Sequence, residues 1–65
     1  MKTNFTLREK VLAVLTLEPG LSAYHTAERM EAQTATVSSL MNRMAVITKE
    51  LERIKIERSW KYYVR

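Results

Sequence analysis

The spacing of apolar residues along this 65-residue chain predicts a mainly α fold of three helices followed by a small β-hairpin. Three observations predict it. Apolar residues recur three and four positions apart through 7–15 and again through 37–44, as the buried stripe of a helix requires. Pro19 and Gly20 break the chain between the first two elements. From Ile54 to Val64 the apolar period falls to two, and aromatic and β-branched residues take over, which favours strands.

Thr6-Leu7-Arg8-Glu9 is a capping box, so the first helix begins there, with Leu7, Val11, Val14 and Leu15 on its buried stripe and Leu12 on the flank. Leu21 is a short extended link. Ser22 is the expected N-cap of a second helix over Ala23 to Met30. Within it Ala27 is the small residue that lets a following helix cross closely. Thr34 is the expected cap of the third helix. Its inward stripe is Val37, Leu40, Met41 and Met44, leaving Ala35, Ser39 and Asn42 outward between Thr36, Ser38 and Arg43.

Beyond Met44 two readings compete. Ile54, Ile56, Trp60, Tyr62 and Val64 alternate with Arg53, Lys55, Lys61, Tyr63 and Arg65, the pattern of a hairpin over 51–64 turning near Glu57, Arg58 and Ser59. On this reading Trp60 caps the core over the first and third helices, and Tyr63 faces the other way as a self-association patch. Val37, Leu40, Met44, Ile47, Leu51 and Ile54 also fall at alternating three- and four-residue intervals, so a long third helix running through 45–58 is the competitor. Arg58 breaks that heptad and SWKYYV is poor helical sequence, which favours the hairpin.

A chain of this length is one domain, 1–65, that buries only about 60% of its unfolded surface. Residues 1–5 read as a loose arm. The sequence has no cysteine, which removes disulfides and thiolate metal sites and suits a reducing cytosol. Its apolar runs are too short to cross a bilayer, and Met1 to Lys10 lacks the order of a secretion signal, so a soluble, cytoplasmic protein is expected. Catalysis is not expected either: there is no Asp, no Cys, no glycine-rich phosphate loop, and one histidine, His25, which reads as an exposed helix residue. Met30, Met41 and Met44 fall at helical spacing and read as core. No cofactor, metal or small-molecule ligand is expected.

Charge is unevenly spread. Residues 1–33 carry four bases and four acids, whereas residues 34–65 carry seven bases (Arg43, Lys49, Arg53, Lys55, Arg58, Lys61, Arg65) against three acids, so the whole excess of plus four lies in the second half. That half contains the third helix and the hairpin, where a phosphate backbone would be met. Ala35, Ser38 and Ser39 are short enough for close approach to a major groove. Asn42 suits adenine and Arg43 suits guanine or a phosphate. Thr34 and Thr36 sit where hydroxyls and free N–H groups grip a phosphate, and Arg53, Lys55, Arg58 and Lys61 are the candidate phosphate contacts of the hairpin.

The stretch AYHTAERMEAQTATVSSLMN, Ala23 to Asn42, resembles the helix-turn-helix of bacterial and phage winged-helix regulators, and ATVSSLMNRM resembles the recognition helix of MarR-like proteins. The match is close over about twenty residues and looser over most of the chain. The resemblance implies a three-helix winged helix-turn-helix, with the hairpin as its wing, and a sequence-specific protein for double-stranded DNA, a transcriptional regulator or phage accessory factor. A homodimer is in keeping with such a small module. The chain departs from the group in lacking glycine at the helix-helix turn (Glu31, Ala32, Gln33), ahead of the first wing strand and at the wing tip. The alternative is a protein-protein interaction module of winged-helix or long-helix type that does not bind DNA. Single-stranded nucleic acid ranks last, since only Tyr63 is expected as an aromatic exposed on a sheet face.

Overall fold

The structure is a computed structural model describing residues 5–65. The expected arm, except for Phe5, lies outside the described residues. Helices α1 (Leu7–Leu17), α2 (Ala23–Met30) and α3 (Thr34–Val46) are followed by strands β1 (Leu51–Ile56) and β2 (Ser59–Val64), which pair antiparallel. This is the mainly α architecture with a small hairpin wing that the sequence predicts. The competing long helix is ruled out: α3 stops at Val46, Ile47 closes it, and Lys49 turns the chain with φ of 58°.

Local chemistry sets the helix ends. The Glu9 N–H donates to the Thr6 hydroxyl at 3.2 Å and the Thr6 N–H donates back to the Glu9 carboxylate at 2.9 Å, completing the capping box. The Thr6 N–H, with the Thr6 hydroxyl donating to the same carboxylate at 3.1 Å, holds the Glu9 carboxyl below the usual carboxylate range. Ser22 caps α2 by accepting from the His25 N–H, and the Thr26 hydroxyl, fully buried, donates to the Ser22 carbonyl at 2.8 Å. The cap of α3 is a correction. Thr34 is the first helical residue and Gln33 is the N-cap, with no side-chain bond to the backbone; the Gln33 carboxamide instead accepts from the Thr36 hydroxyl at 3.4 Å. The three-residue turn leaves no room for Thr34 outside the helix.

Glycine is required at one turn. Gly20 has φ of 87°, donates its N–H to the Tyr62 carbonyl at 2.9 Å, and a Cβ there would lie 3.1 Å from the Tyr63 hydroxyl. Next to it Tyr62 donates its N–H to the Leu21 carbonyl at 3.0 Å, so the expected extended link is a bridge along the far edge of β2. Tyr63 is half-buried here against the α1–α2 turn, which corrects its reading as a free self-association patch.

The core comprises Val11 and Leu15 of α1, Ala27 of α2, Val37, Met41 and Met44 of α3, Leu51 of β1 and Tyr62 of β2. Ala27 is completely buried at the α2–α3 contact, as its small side chain requires. Arg8 of α1 forms an ion pair with Glu50, just ahead of β1, and the Thr48 hydroxyl donates to the same carboxylate at 2.9 Å.

The wing differs from expectation in register. Its turn has two residues, Glu57 and Arg58, and Ile56 pairs with Ser59. The expected turn included Ser59. With a two-residue turn, even-numbered positions of β1 oppose odd-numbered positions of β2, so Leu51, Arg53 and Lys55 share the inner face with Trp60, Tyr62 and Val64. Ile54 and Ile56 lie on the outer face, each 47% exposed, and Trp60 is 40% exposed. Trp60 therefore does not cap the core. It faces inward but sits beyond the core's edge, near the wing tip.

Candidate nucleic-acid interface

The exposed side of α3 follows from its stripe. Burying Val37, Met41 and Met44 turns Ala35, Ser39, Asn42 and Val46 outward at four- and three-residue steps, and all four are exposed. Thr34, Thr36 and Arg43 are exposed along the flanks, while Ser38 is half-buried. Arg43 stands apart from Asn42. It lines an open cleft of about 320 Å³ with Arg8, Leu40, Ile47 and Glu50, on the side of the helix turned to α1.

The wing meets the Asn42 side of this face. The Arg53 guanidinium donates to the Asn42 side-chain carbonyl at 2.6 Å and stacks on the Trp60 ring, 4.4 Å from its centroid. The Lys55 ammonium lies 5.8 Å from the same ring. Asn42, Arg53, Lys55 and Trp60 thus form one cluster. The remaining wing cations lie elsewhere: Arg58 is at the tip, and Lys61 is on the outer face opposite Ile54. Of the predicted residues, the fold gathers Ser39, Asn42, Arg53 and Lys55, places Thr34 and Thr36 at the N-terminal end of α3, and separates Lys61 from them.

The chain matches no protein-family model, no curated protein and no solved structure.

The acids leave the second half's cations unpaired. Glu18 and Glu28 pair with Arg29 at 3.1 and 3.4 Å, and Glu50 pairs with Arg8, so the ion pairs use the bases of the first half. Arg43, Lys49, Arg53, Lys55, Arg58, Lys61 and Arg65 enter no ion pair among the described residues. The Arg8 bond holds the Glu50 carboxyl below its ordinary range and raises the Arg8 guanidinium above its own. His25 is occupied locally, its Nδ1 2.8 Å from the Ser22 hydroxyl, and the described residues contain no group of three or more His, Cys, Asp or Glu able to hold a metal.

Sequence reasoning missed Trp60 and Val46 as members of this surface. The three- and four-residue step that places Ala35, Ser39 and Asn42 extends to Val46. A two-residue turn, with its odd-to-even pairing, puts Lys55 opposite Trp60 and Arg53 diagonal to it.

Proposed function

We propose that this chain is a sequence-specific double-stranded DNA-binding protein, a small transcriptional regulator or phage accessory factor acting in a bacterial cytoplasm. The observation that carries this reading is the run of unpaired cations flanking the short-side-chain face of α3. Ala35 and Ser39 allow α3 to approach a major groove closely, Asn42 on the same outward face and Arg43 on its flank reach base edges, and the exposed Val46 offers apolar contact to a thymine methyl. Thr34 and Thr36, at the free N–H groups of α3, and Lys55 and Arg58 on the wing supply phosphate contacts. Lys61, on the outer wing face, contributes less.

Fluorescence anisotropy with a labelled duplex tests this. With about two phosphates neutralised, by Lys55 and Arg58, affinity should fall roughly tenfold between about 50 and 200 mM salt. A chain indifferent to salt, duplex and heparin alike does not have this function.

The second reading, a protein-interaction module, draws on Ile54 and Ile56, which expose apolar surface on the outer wing face, away from α3. Binding to a protein partner that Ile54→Lys abolishes, with no polyanion binding in the parent, supports it.

A further inference from the structure

The contact between wing and α3 has a chemical direction, and it bears on how a base edge is read. Arginine has donors only, so the Asn42 atom facing Arg53 at 2.6 Å is the carbonyl oxygen, and the flip of the amide is fixed. Its nitrogen is left as the donor free to meet a base, with one lone pair still available on the oxygen. Arg53 is held from a second direction, because its planar guanidinium lies 4.4 Å over the indole of Trp60, the chain's one tryptophan. Lysine has neither the plane nor the fork to make both contacts at once.

We infer that Arg53 is a positioning residue for sequence discrimination: braced by Trp60, it fixes the Asn42 amide so that its N–H meets an acceptor on a base edge. This rests on the DNA-binding reading and goes beyond it, since by charge alone Arg53 would be one more phosphate contact. The acceptor best matched is a purine N7, and at adenine the free lone pair takes the N6 hydrogen as well. An amide free to flip would present oxygen or nitrogen indifferently and would discriminate less.

The test uses the full chain and its preferred duplex, selected from a random pool. Asn42→Ala identifies the base pair that Asn42 reads, as the position whose preference it abolishes. Arg53→Lys keeps the charge, so binding to bulk DNA and its salt slope should persist, while a preference of roughly tenfold at that base pair falls to about twofold or less. Trp60→Leu should do the same. Arg53→Lys added to Asn42→Ala should cost no further preference, and 7-deaza substitution of the purine should lower wild-type affinity. In the free protein, the Asn42 side-chain amide resonances should shift in Arg53→Lys and Trp60→Leu and stay in place in Lys61→Ala. Full preference in Arg53→Lys, or a salt slope flattened by about one unit in Arg53→Ala with preference intact, overturns the inference and makes Arg53 a phosphate contact. A wild-type chain that binds duplexes with no selected motif overturns it too, and one that binds no duplex overturns the DNA-binding reading itself.

Discussion

Asn42 is exposed on the outer side of α3, yet its carbonyl is engaged by Arg53, so its amide is ordered before any ligand arrives. An amide held in this way has less rotamer entropy to lose on contact with a ligand. Asn42→Ala is therefore expected to cost about 1–3 kcal/mol against the preferred duplex and little against bulk DNA, as measured by competition anisotropy. Three other residues carry backbone strain. Glu31, Lys49 and Glu57 have φ of 54°, 58° and 58°, at the α2–α3 turn, ahead of β1 and at the wing tip. These are the places where the resemblance to winged-helix regulators leads one to expect glycine, and the chain keeps the turns without it. A side chain in this region costs roughly 1 kcal/mol, partly offset by the extra freedom glycine gives the unfolded chain. Lys49→Gly and Glu57→Gly should each raise stability by roughly 0.5 kcal/mol, about 2–4 °C in Tm for a domain of this size. A fall in Tm for both would show that the αL backbone is not strained. Gly20→Ala should act in the opposite sense, because its φ of 87° strains a side chain and a Cβ would crowd the Tyr63 ring at 3.1–3.3 Å.

Among the elements, the wing shows what one turn residue decides. The alternation over 53–65 is visible in the sequence, and so is the hairpin. Which residues of β1 and β2 share a face depends on whether the turn holds two residues or three, and Glu57-Arg58-Ser59 contains no Asn-Gly or Asp-Gly to settle it. The helices were legible because their signals are local: a capping box at Thr6, a Ser22 cap, and apolar steps of three and four. The Asn42–Arg53–Trp60 cluster was not, since it joins α3 to the wing through a register that only pairing fixes. The register leads to a prediction. Lys55→Ala and Arg58→Ala should each flatten the salt dependence of duplex binding by about one unit, whereas Lys61→Ala, on the outer face, should change it by less than half of that. Equal effects from all three would mean that the wing enters the interface by its edge. The start of the wing is tied to α1 by Arg8 and Glu50. The folded pKa of Glu50 lies below its unfolded value, so the pair adds stability above the usual carboxylate range and loses it as pH falls through that range and below; Arg8 stays charged throughout. Glu50→Gln should flatten the fall of Tm between about pH 5 and pH 3, and an unchanged slope would mean that water screens the pair completely.

The molecule as a whole separates charge by use. Arg8 of α1 and Arg29 of α2 are taken up by Glu50, Glu18 and Glu28, while the bases of α3 and the wing, like Lys10 of α1, enter no ion pair among the described residues. Of these, Arg53 and Lys55 gather beside the exposed face of α3, and that side is small. A single module covers roughly 600–1,000 Å² of protein surface, and about two neutralised phosphates imply a log–log salt slope near −2. On the DNA-binding reading, affinity of this kind would leave little margin over competing genomic sequence, and useful specificity would call for a second copy on a neighbouring half-site about one helical turn away or for clustered sites. The expectation is that a duplex with two half-sites binds two chains with a slope near twice that of a single half-site, about −4 against −2. Sedimentation at equilibrium counts the chains, and anisotropy across a salt series gives the slopes. The outer wing face, with Ile54 and Ile56 half-exposed, lies away from the Asn42 cluster. If two chains bind with additive slopes and equal successive affinities, they occupy their half-sites independently, and specificity must come from clustered sites. If Ile54→Lys lowers the second affinity and leaves the first unchanged, the copies touch through the wing.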